Sequence, residues 1–99
     1  MLHIVNKSPL ERNTLDSCLR VARPGNALLL IEDAIYAAVK GNAVADKLRR
    51  AAQTLKIYVL APDLEARGMK DSAVDGVTLV DYGGFVDLVA EHPAVQSWL

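Results

Sequence analysis

Cys18 is the only thiol in this 99-residue sequence. One cysteine excludes an internal disulfide and fits a reducing compartment. The two histidines, His3 and His92, stand far apart and with a single cysteine make no metal-ligand spacing. There is no G-x-G-x-x-G, no P-loop, no C-x-x-C and no G-x-S-x-G, so nothing points to a dinucleotide, a nucleoside triphosphate, a redox pair or a serine nucleophile. No metal and no cofactor are expected. No apolar run approaches the roughly 20 residues of a membrane span, and the start lacks a charged n-region with a long apolar centre. The expectation is a soluble cytoplasmic chain with no membrane association. A strong excess of positive charge is missing too, since the net charge is −1, so direct nucleic-acid binding is not expected.

What is present is apolar. Hydrophobic residues make up 52% and charged residues 23%, which argues against disorder and for one compact domain over residues 1–99. That apolar share is high for so small a sphere, so part of it is expected to face another subunit. The charge is also divided. Residues 1–58 carry nine Lys/Arg and five Asp/Glu, whereas residues 59–99 carry two and seven.

Strand and helix patterns alternate along the chain. Leu2 to Val5 reads as a strand, and Ser8-Pro9-Leu10-Glu11 as a capping box with proline at the first helical position. The helix is expected to run from there to about Ala22, with Leu15, Cys18, Leu19 and Ala22 on one stripe. Ala27 to Ile31 is an unbroken apolar run, the pattern of a strand buried on both faces. Asp33 is placed to cap a helix after it. Ala43 to Gln53 reads as a helix, Lys56 to Leu60 as a strand, and Pro62 to Gly68 as a short helical turn. Val77 to Val80 reads as a strand, Asp81 as the cap of a helix over Tyr82 to Glu91, and the rest as a short tail ending in Ser97-Trp98-Leu99. The pattern predicts an α/β fold: a single three-layer domain with a mostly parallel sheet of four to five strands between helices.

Few residues here carry chemistry. Glu32 and Asp33 end a buried strand, where α/β proteins place their sites. A divalent-metal or phosphoryl site there would need a lysine after a later strand, yet the fourth strand is followed by Asp81. A helix start or a subunit contact, shared with Tyr36, is the preferred reading of the pair. Cys18 needs cationic neighbours or a helix N-terminus to ionise, but it falls late in its helix on the apolar stripe. Its own surroundings therefore favour a buried, inert thiol over a reactive one. Lys40, Lys47, Arg49, Arg50 and Lys56 crowd five of eleven basic residues together and read as a solvated helix face. His3 reads as a strand histidine with a satisfied hydrogen bond. Trp98 is expected to dock on its own domain or on a partner.

Several stretches together resemble one family. They are Leu2-His3-Ile4-Val5-Asn6-Lys7-Ser8-Pro9, Leu28 to Val39 (LLLIEDAIYAAV), Ile57 to Gly68 (IYVLAPDLEARG), Val80-Asp81-Tyr82-Gly83-Gly84-Phe85-Val86, and His92-Pro93 with Gln96-Ser97-Trp98. Their order and spacing resemble the DsrH/TusB family of sulfur-relay subunits over essentially the whole chain. The resemblance implies a heterohexamer with DsrE/TusD-like and DsrF/TusC-like subunits, a sulfurtransferase complex that passes persulfide sulfur to a small DsrC/TusE-like protein. In the Tus branch that sulfur goes on to 2-thiolation of a tRNA wobble uridine. In the Dsr branch it is exchanged during oxidation of stored sulfur. The principal sulfur-carrying cysteine belongs to the DsrE/TusD-type subunit. Cys18 is similar to a cysteine that DsrH-type chains carry in their first helix, which favours the sulfur-oxidation branch and raises Cys18 as an auxiliary persulfide carrier. The alternative is a TusB-type subunit of the tRNA branch, mainly structural.

Overall fold

Parallel strands cannot be joined by tight hairpins, so each return of this chain to its sheet passes through a helical crossover. The computed structural model describes residues 1–98. The strands are β1 (Leu2–Val5), β2 (Ala27–Leu30), β3 (Lys56–Leu60), β4 (Val77–Val80) and β5 (Val95–Trp98). Between them lie α1 (Thr14–Val21), a 3-10 helix (Glu32–Ala38) followed by α2 (Ala43–Ala51), α3 (Ala61–Ala66) and α4 (Tyr82–Glu91). The five-stranded sheet has the order β4-β3-β2-β1-β5, with every neighbouring pair parallel.

The apolar run therefore sits at the centre of the sheet. All four residues of β2 are buried, as its lack of alternation predicts. Leu28 and Leu30 join Val5, Ile57 and Val59 in a core with α1, the 3-10 helix, α2 and α3. Ala27 and Leu29 face the opposite way, with Leu2 and with Leu88 of α4. The layers are thus helices, sheet and a single helix, the three-layer α/β domain expected.

Three details depart from the sequence reading. Residues 8–12 do not form the first turns of α1. The Ser8 carbonyl accepts from the N–H groups of Glu11 and Arg12, both at 3.1 Å, and the Ser8 hydroxyl accepts from Leu10 N–H at 3.2 Å. The serine closes a local turn instead, and Leu10 is exposed there. Helical stability comes chiefly from packing an apolar face. That face begins only at Leu15, so the helix begins at Thr14.

Asp33 does not cap the next helix. The 3-10 helix starts one residue earlier, at Glu32, without a side-chain cap, and Asp33 turns outward to Arg67. The cap that matters in this region is Asn42. It accepts from Ala45 N–H at 2.8 Å and donates to the carbonyls of Val39 and Tyr36, so one side chain joins the end of the 3-10 helix to α2. Finally, the tail is a strand. Val95 to Trp98 pair in register with Leu2 to Val5, and their backbone groups find partners that the local sequence does not reveal. Leu99 lies outside the described residues.

Asp81 caps α4 as expected, accepting from Gly84 N–H at 2.7 Å. The two glycines after it have different reasons. A Cβ on Gly84 would stand 3.0 Å from Val80 Cβ, a rigid near-backbone atom, whereas a Cβ on Gly83 would meet only the Asp81 carboxylate, at 3.3 Å. Gly84→Ala is therefore expected to lose about 1 kcal/mol, overpacking outweighing the gain in helix propensity. Gly83→Ala should hold or slightly raise stability. Urea denaturation of the two variants checks the difference, and equal midpoints would contradict the close approach of α4 to β4.

Candidate functional site

Cys18 lies on the inward face of α1, fully buried in the main core beside Leu15. Burial pushes the thiol up to about 12, because the apolar core disfavours the thiolate. The position in the helix adds to this, since Cys18 stands in the C-terminal half of α1 rather than at its positive end. Arg20 points elsewhere, toward Ser17 Oγ at 3.4 Å. In this conformation the sulfur has neither the access nor the ionisation that a nucleophile needs.

The carboxyl edge of the sheet holds a concentrated polar network. It brings together the residues after β2 and those of α3. Glu32 adopts φ +50°, a left-handed conformation unusual for a residue with a side chain. Its N–H donates to Asp63 Oδ2 at 2.6 Å. Arg67 donates from Nε and Nη2 to Asp33 Oδ1, at 3.0 and 2.9 Å, and from Nη1 to the Asp63 carbonyl at 3.2 Å. The carboxylate of Asp33 holds the Arg67 guanidinium above its ordinary range. Asp33 and Asp63 are thus both engaged within the chain, and Arg67 fills the space where a cation would sit. No group of three or more His, Cys, Asp or Glu able to hold a metal occurs among the described residues. Tyr36 lies one turn on, half-buried against the core. Sequence reasoning found Glu32, Asp33 and Tyr36 but missed Arg67, whose contact with Asp33 spans 34 positions.

Trp98 docks on its own domain. Its Nε1 donates to His3 Nδ1 at 3.2 Å, so the neutral imidazole carries its proton on Nε2, which faces Asn26 Oδ1 at 3.0 Å. The same three side chains line a cavity of about 420 Å³ with Arg23 and Gln96. Of the basic cluster, Lys47 pairs with Asp16 at 2.6 Å and Arg49 with Asp46 at 2.8 Å, both at the surface, where such pairs add little. No helix among the described residues is long and apolar enough to cross a membrane.

The model of a family described as DsrH like protein matches residues 7–95. The chain belongs to the DsrH-like family. It is 41% identical over 98 residues to Protein TusB of Pectobacterium parmentieri, covering 99% of this chain and 100% of that one. To Protein TusB of Escherichia coli it is 38% identical over 98 residues, with the same coverage. Among solved structures, the YchN protein of Escherichia coli matches with a TM-score of 0.80 at 20% identity, over 97% of each chain. A protein of unknown function from Methanobacterium thermoautotrophicum matches with a TM-score of 0.69 at 16% identity, over 97% of this chain and 95% of that one. At those identities the likeness is one of fold. The DsrH-like chain thus shares its whole length with its TusB relatives.

The buried thiol has a measurable consequence. Its folded pKa is raised above that of the unfolded chain, so the folded state keeps a proton that the unfolded state gives up as pH rises. Below about pH 9 Cys18 makes stability no more pH-dependent, and between about 9 and 12 it lowers stability by up to ~1.4 kcal/mol per pH unit. Denaturation of the parent and Cys18→Ala across pH 8 to 11 checks this. The parent is expected to lose stability more steeply, and parallel curves would contradict the buried thiol.

Proposed function

We propose that this DsrH-like chain is a subunit of a sulfur-relay complex and serves there mainly as an assembly component. The observation that carries this reading is its full-length relation to the TusB proteins. The geometry agrees in kind. The single thiol is enclosed in the core, and the polar network at the carboxyl edge ties the chain's own 3-10 helix to α3. Such a network shapes a surface and leaves no free nucleophile in it. The proposed partners are DsrE/TusD-like and DsrF/TusC-like subunits in a heterohexamer in the cytoplasm, with a small DsrC/TusE-like protein as sulfur acceptor.

The relatives' name turns the choice of branch. Cys18 alone favours the sulfur-oxidation branch, whereas relatives of the Tus type over 100% of their length support the tRNA-thiolation branch. We place the chain in the latter, with persulfide sulfur travelling on the DsrE/TusD-like subunit and onward to the wobble uridine. Cys18 then has a packing role in the free chain, and an auxiliary persulfide on it would require α1 to lift away from the sheet.

Co-expression with the two related subunits, followed by loading with a persulfide donor and intact mass measurement, tests the proposal. The expected result is a stable three-subunit complex in which the DsrE/TusD-like chain gains about 32 Da, the mass of one sulfur atom, and this chain gains none. Sulfur on Cys18 would give the chain a chemical role in place of a purely structural one. Failure to associate with both partners would overturn the reading.

A further inference from the structure

The two faces of the sheet are covered unequally. α1, α2, α3 and the 3-10 helix pack on one face, and α4 alone crosses the other on its way from β4 at one edge to β5 at the opposite edge. α4 turns Leu88 into the sheet with Phe85 half-buried beside it. Its outer side is apolar as well. Tyr82, Val86 and Val89 are 61%, 65% and 39% exposed, although a helix over a sheet ordinarily presents charged residues there. Their spacing of i, i+4 and i+7 sets them in one ridge along the helix, which the exposed Ala90 widens.

The charge beside this ridge has one sign. Asp87 and Glu91 run along its flank past Ala90, Asp81 stands at the start of the helix, and all three are exposed. From Asp71 to the end of the sequence there are five acids and no Lys or Arg. We infer that the outer face of α4 is a docking surface for a different protein chain, one presenting an apolar face bordered by Lys or Arg. A second copy of this chain fits poorly, because two-fold pairing of the ridges would set acids beside acids with no cation near, and like charges facing each other cost affinity. An anionic membrane surface is repelled for the same reason. Tyr82 supplies the aromatic anchor common at the centre of such contacts. The inference rests on the reading of the chain as a complex subunit and adds which face meets a partner subunit.

The test uses the co-expressed complex of this chain with its two related subunits. Val86→Glu/Val89→Glu replaces exposed side chains, so circular dichroism and melting temperature should stay close to the parent's, while affinity for the partner falls about tenfold or more. Asp87→Lys/Glu91→Lys leaves the ridge intact. It should weaken association several-fold and flatten its dependence on salt. If the parent assembles and the folded Val86→Glu/Val89→Glu variant assembles equally well, the face is wrong while the subunit reading stands. Charge reversal without effect on affinity or salt dependence would overturn the basic partner. A parent homodimer broken by Val86→Glu/Val89→Glu would make the occupant a second copy and overturn the inference. A parent that binds neither partner overturns both this face and the subunit reading.

Discussion

The burial of β2 on both faces is the constraint on which the other parts of this structure depend. Ala27, Leu28, Leu29 and Leu30 are all withdrawn from water, at the middle of a five-stranded sheet. Each leucine so enclosed contributes about 1.5–3 kcal/mol relative to exposure. That gain is available only if helices cover the sheet on both sides. Leu28 and Leu30 fix the layer of α1, the 3-10 helix and α2, and Leu29 fixes the single helix opposite. Cys18 belongs to this arrangement, since α1 lies against the sheet by its Leu15–Cys18 stripe. A thiol used as core has little left for chemistry while the helix stays in place.

The end of β2 shows how the same strand shapes the surface. The chain must turn sharply as it leaves the core, and Glu32 does so in a left-handed conformation that costs a side-chain-bearing residue about 1–2 kcal/mol. The short bond from its N–H to Asp63 and the double grip of Arg67 on Asp33 offset this. α3 is thereby held to the 3-10 helix at the carboxyl edge of the sheet, the edge where α/β proteins place ligands. Here the edge is closed by the chain's own charges. The Asp33 carboxylate, which would suit a cation in another sheet, is here part of a structural clasp, and Glu32 joins it through its backbone N–H.

Asymmetry is the other outcome of the topology. Four helical segments share one face, so their outer sides can be polar, and Lys47, Arg49 and Arg50 are exposed there. The opposite face has α4 alone, whose residues from Tyr82 to Glu91 include no cation. Charges of both signs mix on the covered face, whereas Asp87 and Glu91 on α4 have no cation on their own helix. A helix that leaves apolar residues in the open beside acids alone is suited to contact with an unlike chain.

Some of this was written in the sequence. The apolar run of β2, the cap of Asp81 on α4 and the proline-opened α3 are local signals. Hydrophobic periodicity and capping act over a few residues, so a window of sequence carries them. The burial of Cys18 was legible for the same reason, from its place on the α1 stripe. Tertiary structure alone decided the rest. Residues 9–12 look helical but have no core contact to hold them so, and the helix starts at Thr14. Val95 to Trp98 have too little pattern to announce a strand, yet β1 offers them a row of backbone partners and His3 takes the indole hydrogen bond. Asp33 looked like a cap until Arg67, 34 positions away, came within reach of it. Hydrogen bonds between residues distant in sequence depend on the folded path between them, and no local pattern encodes that path.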